Sequence, residues 1–436
     1  MLGRDYGRGI NLSDMDKRPK EVVIVSGART PIGKHGGYYN YLPAEDLAVL
    51  AVYEAIVRSG IDLQKTRIDH VVAGMIYIDS QNQQIYLPRN VAVRVAEKFN
   101  DKENLRVAPG KTTLRICGTG FQVLADAFDQ LMSETENAGC VLSFATENMS
   151  QTNLIHQGRR KKESVWDFDD GPMKDYLMEG FNHNLFKTLM PKTAELYGTQ
   201  TGITRKDCDE FSYLSHTRAM EAQSKQWNRF AKPGANEYLR GIFNVDTVDQ
   251  KGNAISVWRD EGTKYDISLE ELANLRPMLK PDGLVTPGTA SQISDGAAAA
   301  VLMERSFADQ HNIPYLAVLK GYQFSTVPPE IMGQGPVPAI KDLLAKLNMK
   351  KEDIDLFEVN EAFAAQYLGV EKELDLPRDR TNVNGGAIAM GHNIAATGLR
   401  ITIDLVYELK RRGLKRGIAS ACIGGGQGGA VCVEIV

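Results

Sequence analysis

The stretch that decides the fold is residues 391–422, which read GHNIAATGLRITIDLVYELKRRGLKRGIASAC. A glycine–histidine pair comes first, an amphipathic run predicts a helix over 399–409, and an apolar run predicts a strand over 417–422. The same order occurs at residues 117–144, CGTGFQVLADAFDQLMSETENAGCVLSF, with a predicted helix over 121–132 and a predicted strand over 139–144. The upstream copy begins with a cysteine where the later copy has the histidine. We infer that the chain contains an internal duplication.

The duplication extends in both directions from these two stretches. A helix–turn–strand order over 51–72 recurs over 339–357, and the final strand at 429–433 has its counterpart at 296–302. Apolar strands alternating with helices predict a layered α/β fold whose strands are covered on both faces. The first copy is interrupted after residue 150 and resumes near 284. We therefore predict an N-terminal arm (1–19), a first half (20–150 plus 284–305), an inserted domain (151–283) and a second half (306–436).

The inserted domain differs in character from the two halves. Helices are predicted at 190–198, 206–225 and 269–275, and few clean strand patterns occur. Its basic run at 159–162, RRKK, is typical of a solvated loop. The alternative, functional interpretation is that this basic run contacts a phosphorylated ligand.

Composition excludes several classes of function. The 436 residues exceed the usual size of one domain, and a net charge of −4 gives no electrostatic case for nucleic-acid binding. Five widely spaced cysteines do not form a disulfide framework, and the N-terminus shows no pattern of a targeting signal. Together these two observations predict a reducing, cytoplasmic location. No apolar run is long enough to span a membrane. The sequence contains neither a CxxC nor an HExxH motif, so no metal site is predicted.

Two residues at equivalent positions of the duplicated copies are candidates for covalent chemistry. Cys117 precedes a predicted helix, whose free N–H groups and dipole favour a thiolate, although most single cysteines are buried small hydrophobes. His392, between Gly391 and Asn393, could equally be a core histidine. If the halves pack about a pseudo-twofold axis, the two helix N-termini converge. The imidazole then lies within reach of the thiol, as a base does beside its nucleophile.

Two further segments carry candidate residues. Cys422 begins the run CIGGGQGG, which resembles a dinucleotide fingerprint but leads into a strand, whereas that fingerprint must open a helix. We therefore predict a glycine-rich hairpin that presents a thiol and free backbone N–H groups. Asn360 stands between a predicted buried strand and a helix of small residues. It could orient a water or a carbonyl group, but its position favours the role of a helix N-cap.

Together these segments resemble the thiolase family. The matching motifs are Cys-x-x-Gly at 117–120, Asn-Glu-Ala-Phe-Ala at 360–364, Gly-His at 391–392 and Cys-x-Gly-Gly-Gly at 422–426, supported by VTPGTAS at 285–291 and SDGAA at 294–298. The resemblance runs in order over residues 20–436. It implies two similar α/β halves with an inserted loop domain. It also implies an acyltransferase that exchanges a 3-oxoacyl-CoA with acetyl-CoA plus acyl-CoA, as in fatty acid β-oxidation.

The resemblance implies a role for each candidate residue. Cys117 would be the nucleophile that forms an acyl-enzyme, His392 its base, and Cys422 the acid and base at the α-carbon of acetyl-CoA. One oxyanion hole would use His392 and a water held by Asn360, and the other the backbone N–H groups of Cys117 and Gly424. Ser291 would meet the pantetheine arm of CoA and Lys264 its nucleotide end. CoA thioesters would be the partners, without a permanently bound cofactor, in a homodimer, a homotetramer or a hetero-oligomer.

Departures from the family pattern occur around the implied acyl pocket. The family's Gly-His-Pro-x-Gly reads Gly391-His392-Asn393-Ile394-Ala395 here, and its His-Met-Gly reads Leu189-Met190-Pro191. We therefore hypothesise an active thiolase whose acyl substrate is not simply acetoacetyl-CoA. A ketoacyl-synthase-like condensing enzyme is an alternative, although Asn360 and Cys422 stand where it would need a second histidine. The second alternative is a non-catalytic relative of the family that binds acyl groups.

Overall fold

The computed structural model describes residues 20–78, 85–162, 164–183, 185, 187–230, 241–249 and 251–436, so the predicted arm at 1–19 lies outside the described residues. The strands are β1 (Val22–Arg29), β2 (Gly33–Lys34), β3 (His70–Gly74), β4 (Gly110–Thr113), β5 (Cys140–Glu147), β6 (Leu154–His156), β7 (Arg160–Lys161), β8 (Ser164–Phe168), β9 (Met173–Asp175), β10 (Asn182–His183), β11 (Thr188–Leu189), β12 (Val245–Val248), β13 (Ala254–Val257), β14 (Ser294–Glu304), β15 (Ala317–Thr326), β16 (Leu356–Val359), β17 (Arg416–Ile423) and β18 (Gln427–Ile435). The helices are α1 (Ala44–Ser59), α2 (Leu87–Lys98), α3 (Thr119–Met132), α4 (Tyr176–Gly180), α5 (Met190–Gln200), α6 (Arg205–Phe230), α7 (Leu269–Asn274), α8 (Arg305–Gln310), α9 (Pro336–Lys346), α10 (Ala364–Leu374), α11 (Ala387–Met390) and α12 (Thr397–Arg412).

One large mixed sheet runs through the molecule in the order β16-β17-β18-β15-β1-β14-β5-β3-β4, with β2 paired to β14. In the first half β3 runs parallel to β5, β5 antiparallel to β14, and β14 antiparallel to β1. In the second half β16 runs parallel to β17, β17 antiparallel to β18, and β18 antiparallel to β15. The same sequence of pairings in both halves confirms the predicted duplication. The halves join where β1 and β15 pair antiparallel.

Three hydrophobic cores show the layering. The first lies between the first half of the sheet and helices α1 and α2, and the third between the second half and helices α9 and α10. The second core contains α3 and α12, which pack against each other between the halves. Strands β1 and β5 are buried along their whole length, as expected for strands covered on both faces. The layered α/β fold is confirmed.

The chain leaves the central sheet after Glu147 and returns at Ser294. The described residues between these points contribute helices α4–α7 and four two-stranded sheets instead: β6-β9, β7-β8, β10-β11 and β12-β13. The sequence predicted the three longer helices but not these hairpins, because their strands are only two to five residues long and too short to show a periodic apolar pattern. The domain boundaries at 150 and 284 stay predictions.

Part of this inserted segment completes the third core rather than forming a separate one. Phe211 on α6 stacks on Tyr367 of α10, with ring centroids 4.2 Å apart and planes at 13°. Tyr197 of α5 is also buried in that core.

The described residues include no helix with the length and apolar character of a membrane span. They also hold no group of three His, Cys, Asp or Glu side chains arranged to bind a metal ion.

Candidate active site

Cys117 sits in a 3-10 turn (Ile116–Gly118) that leads directly into α3. Ile116, the residue before it, has φ of 47°, a left-handed conformation that is costly for a β-branched side chain. Strain of this kind costs on the order of 1–3 kcal/mol and persists where the surrounding structure enforces it. The prediction that Cys117 stands at a helix N-terminus is therefore confirmed, on a strained turn.

The N-termini of α3 and α12 converge, as the duplication predicted. A methyl group on Gly120 would lie 2.3 Å from the backbone nitrogen of Leu399, and one on Gly398 would lie 2.5 Å from that of Phe121. Only glycine at both positions permits this approach. The turn that holds Cys117 and the residues that follow His392 are thereby brought to the same place between the halves.

Cys422 lies near the end of β17, opposite Gly428 in the hairpin formed with β18. Gly425 and Gly426 have φ of 82° and 80°, so the turn needs residues without a side chain. Gln427 braces the turn, because its amide donates to the carbonyl of Gly424 and its side-chain oxygen accepts from Arg115. The predicted glycine-rich hairpin is confirmed, and with it the rejection of a dinucleotide fingerprint.

The two thiols are electrostatic neighbours. Burial raises the pKa of Cys117 to about 11, although the backbone N–H groups of Gly424 and of Cys117 itself lower it in part. Burial also raises the pKa of Cys422, and the nearby Cys117 raises it further. Cys422 is 1% exposed and packs against Met332 and Ala362, whereas Cys117 is half-buried. Both thiols are therefore neutral at rest, and Cys117 is the more accessible.

His392 is 7% exposed and its Nδ1 lies 2.7 Å from the hydroxyl oxygen of Thr397. Its Nε2 is buried and has no hydrogen-bond partner among the described residues. Burial lowers the pKa of His392 to about 3, and the buried guanidinium of Arg400 lowers it as well. The imidazole is therefore neutral, with one nitrogen held by the protein and the other left for a ligand.

Asn360 does not cap a helix, so the role that its position favoured is wrong. Helix α10 begins four residues later, at Ala364, with Phe363 as the preceding residue. Asn360 is instead the residue directly after β16; it is 2% exposed, and neither its amide nitrogen nor its amide oxygen has a partner among the described residues. Buried polar groups are almost always paired, so the free donor and acceptor of this amide are available to hydrogen-bond a ligand or a water.

A buried network holds Asn360 from both sides. Before it, Asn382 accepts from the N–H of Val359 at 2.8 Å and donates to the carbonyl of Val359 at 2.8 Å. After it, the carboxylate of Glu361 accepts from Asn382 at 2.9 Å and from the hydroxyl of Ser215 at 2.6 Å. The same carboxylate accepts from Ile388, which lies just before the His392 turn. Glu361 therefore ties the Asn360 segment to the histidine segment.

An apolar cluster from three parts of the chain packs around Cys117. Tyr77 and Met149 come from the first half, Leu177 from the inserted segment and Ile394 from the second half, and all four are buried. The sequence did not predict Tyr77 or Leu177, because no pattern relates them to residues 117 or 394.

Two of the residues that depart from the family pattern differ in their placement. Leu189 is largely exposed, whereas Met190 packs in the Cys422 cluster and lies 3.9 Å from the position of a methyl group on Gly424.

The two predicted CoA-contact residues lie at different kinds of position. Ser291 is half-buried in a segment that is hydrogen-bonded to both the Asn360 and the His392 motifs: its N–H donates to Ala362, and the carbonyl of Gln292 accepts from the N–H of His392. Lys264 is exposed, and its backbone N–H donates to His216. The structure thus places Ser291 beside the site and Lys264 on the surface of the inserted segment.

Comparison with known proteins matches these features to one family. The model of the thiolase N-terminal domain matches residues 22–306, and that of the thiolase C-terminal domain matches residues 313–435. The chain belongs to the thiolase family. It is 37% identical over 413 residues to the mitochondrial 3-ketoacyl-CoA thiolase of Bos taurus, covering 95% of this chain and 98% of the relative. It is 37% identical over 417 residues to an acetyl-CoA acetyltransferase of Chromobacterium violaceum, covering 95% and 99%.

Solved thiolase structures share this fold. Human mitochondrial 3-ketoacyl-CoA thiolase in complex with CoA matches with a TM-score of 0.85 and 35% identity, covering 96% of this chain and 98% of that one. The Bacillus anthracis acetyl-CoA acetyltransferase matches with a TM-score of 0.84 and 34% identity, covering 97% and 100%. The resemblance, the fold and the acyltransferase class predicted from the sequence are confirmed. The condensing-enzyme and non-catalytic alternatives are not favoured.

Proposed function

We propose that this thiolase cleaves a 3-oxoacyl-CoA with CoA to give acetyl-CoA and a shortened acyl-CoA, or runs the reverse Claisen condensation. The single observation that supports this most is the presence of two neighbouring thiols together with buried polar atoms of His392 and Asn360 that have no partner among the described residues. Most buried polar groups are paired, so these atoms are available to a ligand. We propose Cys117, His392, Cys422, Asn360 and Gly424 as the residues of the site.

In the direction of cleavage, Nε2 of His392 takes the proton of Cys117 as the thiolate attacks the 3-oxo carbon. The bond between C2 and C3 breaks, the acyl group stays on Cys117, and the thiol of Cys422 protonates the acetyl-CoA enolate. The Cys422 thiolate then takes the proton of an incoming CoA thiol, and the CoA thiolate attacks the acyl-enzyme. The bond between the acyl carbon and Cys117 breaks, acyl-CoA leaves, and the imidazolium of His392 returns its proton to the Cys117 thiolate. A thiol suits this exchange because its ordinary pKa of about 8.5 lies near neutrality.

Two groups of donors stabilise the negative charge that develops on oxygen. The N–H groups of Cys117 and Gly424 lie next to the reacting thiol. The side chain of Asn360 holds a water that, together with Nε2–H of His392 once it is protonated, faces the thioester oxygen. Donors fixed in a buried site stabilise developing charge without having to reorganise, which is commonly worth about 3 kcal/mol for each donor.

The remaining features of the proposal concern binding and assembly. We propose that the inserted domain (151–283) and Ser291 bind CoA, with Lys264 near the nucleotide end, and that no cofactor is permanently bound. The protein assembles as a homodimer or homotetramer, or with a second subunit. We also propose a cytoplasmic location, which the free cysteines support. The departures at Asn393 and Ala395, which are both buried just after His392, support an acyl substrate other than acetoacetyl-CoA.

The test is a panel of 3-oxoacyl-CoA thioesters of increasing length and branching, assayed with free CoA by loss of substrate and formation of acetyl-CoA. We expect turnover by the wild type, with acetoacetyl-CoA not the best substrate, and none by Cys117→Ala. Cys208→Ala is the matched control, because Cys208 is a buried cysteine of α6 in the third core. Turnover of no member of the panel would refute the proposed activity, and a clear preference for acetoacetyl-CoA would refute the proposed acyl group.

The acyl-enzyme gives a second measurement. Incubation with acetyl-CoA should add one acetyl group to Cys117 in the wild type and in Cys422→Ala, as read by mass spectrometry of the intact and digested protein. Only the wild type should go on to complete the condensation. Acetylation that persists in Cys117→Ala would assign the nucleophile to another residue.

A further inference from the structure

The orientation of the catalytic imidazole is controlled by a hydroxyl group at the start of α12. Oγ1 of Thr397 has three polar neighbours: Nδ1 of His392 at 2.7 Å, the backbone oxygen of Asn393 at 3.0 Å, and the side-chain oxygen of Asn393 at 3.3 Å. All three residues are buried. No sequence pattern predicts this arrangement of Thr397.

The hydroxyl has one proton, and its neighbours determine where that proton goes. Both oxygens of Asn393 can only accept, so the hydroxyl of Thr397 donates to them. Its lone pair is then left for His392, and it can accept only if Nδ1 carries the proton. The opposite arrangement would place a proton on Nε2, where it would be a buried donor without a partner among the described residues. Hydrogen bonding therefore favours the tautomer with Nδ1–H and an unprotonated Nε2.

The charges near His392 leave its ring neutral, so that a tautomer is the relevant species. Arg400, one turn further along α12, is buried and lies 3.5 Å from Asp404. Arg29 pairs with both Asp404 and Asp260 in the same buried group. The thiols of Cys117 and Cys422 are neutral as well, because burial raises the pKa of each. A positive neighbour and burial both oppose an imidazolium at rest.

We propose that Thr397, anchored by the two oxygens of Asn393, is a positioning residue that holds His392 in the Nδ1–H tautomer and so keeps Nε2 free as a base. This rests on the proposed role of His392 in the reaction. It also gives a function to the departure at residue 393, because the family's proline at that position has no side-chain oxygen to offer the hydroxyl.

The experiment reads the tautomer directly, without substrate. The protein is labelled with ¹⁵N-histidine, and long-range ¹H–¹⁵N spectra show which ring nitrogen carries the proton. His392→Gln identifies the signals of His392 among the seven histidines. We expect Nδ1–H in the wild type and in Thr397→Ser, which keeps the hydroxyl, and a loss of this preference in Thr397→Val, which removes it at similar size. Asn393→Ala should show a partial loss, because the backbone oxygen remains.

Kinetics supply the second readout. Thr397→Val should lower kcat by about 100-fold with KM for CoA unchanged, the scale of a lost general base, and Thr397→Ser should restore most of it. An Nε2–H tautomer or an imidazolium in the wild type would overturn the inference, even if Thr397→Val fails to fold. So would a Thr397→Val variant with the wild-type tautomer. Nδ1–H without turnover of any CoA thioester would instead refute the proposed function and leave this inference standing.

Discussion

Replacing Gly120 by alanine should separate the two helix N-termini on which the site depends. The new methyl carbon would lie 2.3 Å from the backbone nitrogen of Leu399 and 2.7 Å from that of Gly398. Atoms in non-bonded contact sit about 3.5 Å apart, so the backbones must move apart by about 1 Å. Both contacts are with backbone, which cannot rotate away as a flexible side chain could.

The expected cost follows from two opposing effects. Overpacking a core costs ~1–3 kcal/mol, and a rigid neighbour places Gly120→Ala at the upper end. Alanine recovers about 1 kcal/mol over glycine through its helix propensity, which leaves a net loss of about 2 kcal/mol in the free energy of unfolding. The loss of activity should be larger in proportion, because a displacement of about 1 Å between catalytic groups can cost ~100-fold in rate.

Urea unfolding measures the first quantity, and kcat/KM for the best 3-oxoacyl-CoA measures the second. Gly413→Ala is the control, because Gly413 follows α12 at φ of 66° with no atom within 4 Å of the added methyl group. It should lose about 1 kcal/mol through backbone strain while keeping its activity. A Gly120→Ala variant with unchanged stability and unchanged kcat/KM would refute the reasoning, since it would mean that the helices do not meet at this point.

Two further predictions concern stability. All five cysteines are free and burial raises the pKa of each thiol, so above pH ~9 the thiols ionise in the unfolded chain before the folded one. The free energy of unfolding should fall by up to about 1.4 kcal/mol per thiol per pH unit, and urea unfolding under reducing conditions that gives a constant value from pH 8 to 10.5 would contradict this. Arg29→Met should lose ~3–5 kcal/mol, because it leaves the carboxylates of Asp260 and Asp404 without the buried cation that pairs with them at 2.7 and 2.9 Å. Loss of less than 1 kcal/mol in the same assay would show that the pairing is not needed.

The fold could be predicted from the sequence because the same order of helices and strands occurs in it twice. Each strand of the second half has a partner in the first with the same apolar pattern, and the structure extends the predicted helices and strands by a few residues without changing their type. The predicted helix at 121–132, for example, begins at Thr119, and the one at 399–409 begins at Thr397. The hairpins of the inserted segment could not be predicted in this way, because such short strands are too brief to show a periodic apolar pattern.

The site was predictable only where a residue type has a distinctive local setting. Cys117 and His392 each stand beside a glycine and Cys422 lies two residues before a run of three. Gly120 and Gly398, a few residues further along, allow the close backbone approach between the two helices. Asn360 was misread as a cap because a strand followed by a polar residue and small residues fits both roles. Thr397 gave a weaker signal, a hydroxyl just before a predicted helix. Tyr77 and Leu177 gave none, because only the tertiary fold brings them to Cys117.

The site combines features that would each destabilise an ordinary core. His392 and Asn360 keep buried atoms without a partner among the described residues, at about 1–3 kcal/mol for each group, and Ile116 holds a left-handed backbone. The Glu361 network maintains this arrangement by fixing the Asn360 and His392 segments to each other. Since burial keeps both the thiol and the imidazole neutral, we expect transfer of a proton between them to be unfavourable until a substrate oxygen is present to accept hydrogen bonds from the site. On the proposed mechanism, the imidazole gains its Nε2–H only as the negative charge forms, so the reactive thiolate should be confined to the complex with substrate.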